Sequence, residues 1–293
     1  MNSINNPSSI GPEPPSEEVL KKTLEASVKR VRYVYAQIRK HYTPLKPHMN
    51  AGTREYLIAV MRFRVMAWMS TLRKLDHMCD TQAALCGLRT LLELTTDMLL
   101  LHHDKTNESV LKMNAWSESA KLKCIELSVE FTDRRKEASG KRMFYLPEFV
   151  ERKRREVDKS RRSFWPQNGT RIKHPERWTG RTNLLSDIRT VDSYFTQDIH
   201  RFLGRALEEL YETEYRSWNW FVHGSGLAGF SQHHHSLYLF SSISLDTSVR
   251  LALLCSEVYL RETQFDDTER KSSLFAELEL LRKKIDREIS GLS

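Results

Sequence analysis

The sequence lacks the features that mark secreted, membrane-spanning and zinc-dependent proteins. Its four cysteines are scattered without CxxC spacing, which disfavours a disulfide framework and predicts free thiols in a reducing compartment. The most apolar run, Leu91–Leu101, contains two acidic residues, so no membrane-spanning helix is expected. Residues 1–15 carry Pro12, Pro14 and Pro15 among polar residues, which predicts a disordered lead-in rather than a targeting segment. These absences favour a cytoplasmic protein.

The usual nucleotide and metal motifs are missing as well. There is no GxxxxGK[ST] loop, GxGxxG turn or HExxH pair, which disfavours nucleotide-driven motors, Rossmann-type enzymes and zinc peptidases. The tract His233–His235 is predicted to lie in a loop, where adjacent histidines cannot all face one ion. No cysteine or carboxylate stands at ligand spacing from it. We therefore expect no metal site and no other cofactor.

Strand patterns are scarce, whereas helical periodicity runs through most of the chain and predicts an all-α, multi-helix bundle. Helices are predicted at about 16–42, 53–78, 81–103, 109–138, 147–162, 182–190, 192–222, 245–262 and 268–289. The bundle domain is placed at 16–265, with a basic helix–loop insertion at 139–181. Residues 266–293 form a C-terminal amphipathic helix whose leucines have 4-3-4 spacing, which suits packing on its own bundle or a homodimer contact.

The positive charge of the chain is concentrated in the insertion. Residues 133–181 hold 16 Lys and Arg against 7 Asp and Glu, a net of +9, although the whole chain has a net of only +8. Such a block suits RNA, an anionic membrane surface or an acidic partner, but it also suits a solvated helix and loop. We take RNA as the partner and reject the membrane. The candidate nucleic-acid-binding residues are Arg152, Lys153, Arg154, Arg155, Arg161 and Arg162.

The third predicted helix is apolar nearly all round, yet it carries Arg89 and Glu93 four residues apart on one face. An ion pair inside such a helix costs several kcal/mol to desolvate unless other groups bond to it. One interpretation is a structural ion pair that ties helices together. The other is a polar pocket in the core, lined by these two side chains.

A second group of polar residues lies in the segment Tyr215–Ser225. With a period of 3.6 residues, Glu212, Arg216, Asn219 and His223 fall on one helical face. Histidine carries protons near neutral pH, and an arginine can hold a phosphate by paired hydrogen bonds. These are the groups that metal-free phosphodiester cleavage requires. The alternative is a surface pair of Glu212 with Arg216 and a histidine that only ends a helix.

Three segments resemble a bacterial, all-helical family known as the domain of unknown function five-six-seven-seven. They are Leu88–Glu93, Trp178–Arg181 and Tyr215–Ser225, and they stand in the order of that family. The resemblance covers about Thr53 to Leu260 and implies no activity. On these segments, we predict that Arg89, Glu93, Asn219, Tyr215 and Trp178 form the polar pocket or its structural support.

The last segment also resembles the Arg-x4–6-His signature of HEPN domains, with Arg216 and His223 at the two ends. HEPN proteins are helical bundles, often dimeric, and many are metal-independent ribonucleases of toxin–antitoxin, abortive-infection and CRISPR systems. The resemblance implies that Arg216 and His223 are the catalytic pair. It departs from the signature at Ser217, where Asn or Asp is more usual.

Three functional hypotheses follow. The first is a HEPN-like, metal-independent endoribonuclease or RNA-directed toxin, of the kind used in phage defence. The second is a non-catalytic binding or sensor module that contacts a cognate partner protein through the basic insertion or the last helix. The third is an enzyme that acts on a small molecule in the pocket of Arg89 and Glu93.

Overall fold

The computed structural model describes residues 15–42, 50, 52–139, 147–165, 175–216, 234–265 and 267–291. Over these ranges the chain is helical and contains no β-strand, which confirms the all-α fold. The helices are α1 (Glu17–Tyr42), α2 (Arg54–Leu72), α3 (Thr81–His103), α4 (Glu108–Ser139), α5 (Pro147–Phe164), α6 (Leu184–Leu203), α7 (Leu207–Leu210), α8 (His234–Glu262) and α9 (Thr268–Ser290).

Helices α3 and α8 form the centre of the bundle. Helix α8 packs on α1, α2, α3, α6 and α9, and every residue from 251 to 260 is buried. Helix α3 buries Leu85, Leu88, Leu91 and Leu92 completely, and each such side chain contributes about 1.5–3 kcal/mol by leaving water. The part of α8 from Ser236 to Glu262 is long and apolar enough to cross a membrane by length and composition, but two thirds of its most apolar window is buried in the bundle.

Helix α3 has the predicted bounds, but the bounds predicted for α2, α6 and α8 were wrong. Helix α2 ends at Leu72 rather than near residue 78. The backbone N–H groups of Lys74 and Leu75 donate to carbonyls three residues earlier, so the α-helical pattern of hydrogen bonds stops there. Helix α6 continues through residue 191, where two helices were expected, and it ends at Leu203 rather than near residue 222, because Gly204 caps it with φ 74°. Helix α8 begins at His234, not near residue 245, so the predicted histidine loop overlaps the start of a central helix.

The C-terminal helix α9 packs on the bundle of its own chain. Leu274, Leu278 and Ile285 of the predicted seam are buried, and α9 contacts both α1 and α8. The seam therefore serves intramolecular packing, which was one of its two interpretations. A homodimer contact remains a proposal, which would have to use other residues of α9, such as the exposed Leu280, or another face of the bundle.

Helix α5, which lies within the basic insertion, packs side by side with α4, the helix that precedes the insertion. Val150 and Val157 of α5 are buried. Arg154 pairs with Glu126 at 2.8 Å, and Lys153 pairs with Glu118 at 2.6 Å, so ion pairs flank the apolar contact. The α4–α5 pair thus positions one face of the basic helix against α4 and leaves the other face to solvent.

Candidate functional site

The central feature of the site is a polar row on α3. Arg89, Glu93 and Asp97 follow one another at four-residue intervals, so they lie on one face of the helix. The Nε of Arg89 donates to Oε1 of Glu93 at 3.2 Å. About a third of each of these two side chains is exposed, so the expected ion pair exists but lies at the edge of the core rather than inside it.

Tyr215, which follows α7 in the chain, contacts two residues of this row. Its hydroxyl donates to Oε1 of Glu93 at 3.0 Å, and the Arg89 guanidinium lies 5.4 Å from the centre of its ring. The ring also stacks on Tyr211 with 4.7 Å between centroids. Burial, followed by the negative charge of Glu93, raises the pKa of the Tyr215 hydroxyl well above its usual range. Tyr215 therefore remains a neutral donor, and it ties two of the resembling segments together.

The backbone around Tyr215 is not an ordinary α-helix. Residues Tyr211–Tyr215 form a π-helical turn, and the N–H of Arg216 donates to the carbonyl of Tyr211, five residues earlier. The predicted helical wheel assumed an unbroken α-helix through this segment, whereas a π-turn holds one extra residue per turn. Such turns are frequent at functional sites.

Arg216 lies directly after the π-turn and projects toward solvent. Its side chain is 63% exposed and its Nη1 lies 2.9 Å from Oε2 of Glu212, as the surface-pair interpretation expected. Two members of the predicted site, Asn219 and His223, lie outside the described residues.

The segment around Trp178 forms the third side of the site. Trp178 is buried and its indole N–H donates to Oδ1 of Asp97 at 2.8 Å, one helical turn beyond Glu93. Gly180 has φ +81°, and a Cβ at this position would lie 2.8 Å from Cδ1 of Trp165, so the turn favours glycine. The structure therefore brings Trp178 to the polar row of α3, as the sequence suggested for a structural polar residue.

A completely buried carboxylate organises this turn. Asp187 of α6 accepts hydrogen bonds from Arg177 Nε, Thr179 Oγ1 and Arg181 Nη1, each at 2.8 Å. Arg177 also pairs with Asp97, so it bridges the turn and α3. We call Arg177, Thr179, Arg181 and Asp187 the Asp187 cluster. Arg177, Asp97 and Asp187 were not predicted as site residues from the sequence, although Asp97 stands as an acid one turn after Glu93 in an apolar run.

Asp97 is the titratable group with the most altered environment in this site. Burial, reinforced by the nearby carboxylates of Asp187 and Glu93, raises its pKa to about 6, although Arg177 and Trp178 act in the opposite direction. A carboxyl whose folded pKa lies above its unfolded value stabilises the fold at low pH and loses that contribution as pH rises through the folded pKa.

We therefore expect Asp97→Asn to become more stable relative to the parent as pH rises from about 4 to about 6, by at most about 3 kcal/mol. The amide can still accept the Trp178 hydrogen bond, and Arg177 retains Asp187. Urea unfolding across this pH range measures the difference. A stability difference between Asp97→Asn and the parent that does not change with pH would contradict the assignment.

The basic residues of α5 divide into two groups. Lys153, Arg154 and Arg161 face α4, where Arg161 donates to Ser119 at 2.7 Å and the others pair with glutamates. The second group is exposed, has 3-4-3 spacing and is not joined to acids by any ion pair among the described residues. It consists of Arg152, Arg155, Lys159 and Arg162, which we call the α5 basic stripe. Three of the six predicted nucleic-acid-binding residues thus bond to side chains of α4.

The comparisons with known proteins give a family and nothing beyond it. A model described as "Family of unknown function (DUF5677)" matches residues 70–237, which is more than half of the 293-residue chain. No curated protein and no solved structure matches the chain. Among the described residues, no group of three or more His, Cys, Asp or Glu side chains is arranged to hold a metal ion.

Proposed function

This chain belongs to the DUF5677 family, and we propose that it is a HEPN-like, metal-independent endoribonuclease of the RNA-directed toxin type. The observation that carries the proposal is the anchoring of Tyr215 by Glu93 and Arg89 of the central helix. Because Tyr215 is fixed, the next residue, Arg216, is presented to solvent from a rigid base. Arg216 then has the exposure that contact with a phosphodiester requires.

In the proposed mechanism, His223 accepts the proton of a ribose 2′-hydroxyl, and the 2′-oxygen attacks the adjacent phosphorus. The bond from phosphorus to the 5′-oxygen breaks, and that oxygen takes up the proton from His223. Arg216 stabilises the additional negative charge on the phosphoryl oxygens. The products are a 2′,3′-cyclic phosphate and a 5′-hydroxyl, and the balance requires no external reactant.

The electrostatics of the chain support an RNA substrate. The α5 basic stripe presents four cations over eleven residues, or about 15 Å of helix. Contacts of this kind bind the phosphate backbone without reading sequence and weaken with salt. In the proposal, the stripe increases the local concentration of RNA, whereas Arg216 and His223 act at the scissile phosphate.

The test is incubation of the purified full chain with a mixed RNA pool in EDTA, beside His223→Ala. We expect the parent alone to cleave and to leave 2′,3′-cyclic phosphate ends. Equal cleavage by both proteins would contradict the role of His223, and cleavage that requires an added divalent ion would contradict the metal-free mechanism. His200→Ala, which replaces an exposed histidine of α6, is the matched control and should cleave like the parent.

A second candidate function is a non-catalytic RNA-binding or partner-binding module. It is favoured by the Asp187 cluster, whose polar atoms are engaged with one another, as in structural ion-pair networks. The same RNA pool distinguishes the two functions. Salt-dependent RNA binding without cleavage, by the parent and by His223→Ala alike, would favour the module over the enzyme.

A further inference from the structure

A pocket of about 410 Å³ lies beside the Trp178 turn, and neither Tyr215 nor Arg216 lines it. It opens between the end of α3, the start of α4 and the middle of α6, and its size falls within the range of about 300–1,000 Å³ that is usual for small-ligand sites. Its wall begins at Leu100 of α3, about 10 Å along the helix from Glu93. The pocket is therefore distinct from the Arg216 segment.

The wall of this pocket carries more positive than negative charge. Lys105, Lys112 and Arg181 line it, and Asp104 is its one acidic member among the described residues. Asp104 is already engaged, because Thr106 and Ser109 donate hydrogen bonds to its two carboxylate oxygens. The pocket thus offers donors and cations, and it suits an anionic ligand.

Two of these cations form ion pairs with buried carboxylates. Arg181 Nη1 lies 2.8 Å from Asp187, which is completely buried, whereas its own side chain remains 37% exposed. Lys105 Nζ lies 2.7 Å from Glu262, which is 5% exposed, and Lys105 itself is 61% exposed. The acids are not part of the pocket wall. These ion pairs fix the side chains of Arg181 and Lys105. The N–H donors of each cation that do not face the acid are left for a ligand.

An aromatic surface adjoins the cations. The rings of Tyr194 and His103 stack with 3.7 Å between centroids and an interplanar angle of 14°, and both residues line the pocket. Tyr194 is 55% exposed although it is held in place by this contact. A fixed and exposed aromatic ring beside a cationic wall suits the base and the phosphate of a nucleotide, since every base can stack on such a ring.

We propose that this pocket is a nucleotide-binding site, with the phosphate at Arg181 and Lys112 and the base against Tyr194. The nucleotide is either free in solution or the 5′-phosphorylated end of an RNA chain, since both present the same chemistry. This inference does not depend on the ribonuclease proposal. A binding experiment decides it, and the outcome of the cleavage assay does not affect the result.

The test is titration calorimetry of the full chain with the four 5′-mononucleotides, adenosine and inorganic phosphate. We expect at least one mononucleotide to bind, and to bind at least about tenfold more tightly than adenosine or phosphate, because each of these engages only half of the site. No binding by any mononucleotide, or phosphate binding as tight as the nucleotide, would overturn the proposal. A 5′-phosphorylated trinucleotide identifies the source: equal affinity indicates an RNA end, and a weaker affinity indicates a free nucleotide.

Two pairs of variants localise the binding. Tyr194→Ala and Lys112→Ala should each weaken the nucleotide at least about tenfold, whereas Tyr194→Phe retains the ring and should bind like the parent. Lys121→Ala is the matched control for Lys112, because both lysines lie on α4 and pair with a glutamate at 2.6 Å, but Lys121 does not line the pocket. Unchanged affinity in Tyr194→Ala and Lys112→Ala would place the nucleotide elsewhere and overturn the assignment.

Discussion

Replacing Asp187 by alanine is expected to destabilise the fold by about 3–5 kcal/mol, a large share of the stability of a typical domain. Asp187 is completely buried and accepts hydrogen bonds from Arg177, Thr179 and Arg181. Its removal leaves the guanidinium of Arg177, which is only 13% exposed, with one carboxylate partner instead of two. Urea unfolding of the purified variant measures the loss.

The matched controls separate burial from ion pairing as such. Asp76 pairs with Arg32 at 3.1 Å, but both side chains are more than half exposed, so Asp76→Ala should cost less than about 1 kcal/mol. Asp187→Asn retains an acceptor for Thr179 and should fall between the two. A loss for Asp187→Ala as small as that for Asp76→Ala would contradict the structural role of the cluster.

The sequence predicted the fold well because the bundle is built from long amphipathic or apolar helices. Helix α3 has the predicted bounds, and the leucines that marked it as central are buried. The errors occurred where tertiary contacts override local pattern. Helix α8 begins eleven residues earlier than predicted, since Tyr238, Ser241 and Ser242 are buried at a helix–helix contact that hydrophobic periodicity does not reveal.

The site was less predictable than the fold. The helical wheel placed Glu212 and Arg216 correctly as a pair, but it assumed an unbroken α-helix and could not reveal the π-turn. Tyr215 and Glu93 are hydrogen-bonded although 122 residues separate them in the sequence, and a single sequence does not predict a contact between residues so far apart. Asp187 looked like one more polar residue in a short helix, because its significance lies in complete burial.

The Asp187 cluster and the polar row of α3 form one connected support. Arg177 joins Asp187 to Asp97, Asp97 accepts from Trp178, and Glu93 holds Tyr215 one turn earlier. The two proposed ligand sites adjoin different parts of this support, since Arg216 follows Tyr215 in the chain and Trp178 lines the pocket. Damage to Asp187 should therefore affect both sites through folding, whereas variants of exposed residues should affect one site at a time.

Arg216→Ala is expected to lower the rate of RNA cleavage by about 10²–10³ without loss of stability. Its guanidinium is mostly exposed, so its removal disturbs no core contact, and the exposed pair with Glu212 contributes little to folding. A loss confined to the catalytic rate is what removal of a charge-stabilising group produces. Arg216→Lys should recover only part of the rate, because an ammonium cannot make the paired hydrogen bonds of a guanidinium.

The matched control is Arg189→Ala, which removes another exposed arginine whose partner, Glu208, lies at 2.7 Å on α7. It should cleave RNA like the parent if Arg216 acts at the scissile phosphate. A similar decrease in Arg189→Ala and Arg216→Ala would mean that surface charge only attracts RNA, and both decreases should then shrink as salt is raised. A defect of Arg216→Ala that persists at high salt and at saturating RNA would instead assign the arginine to the chemical step.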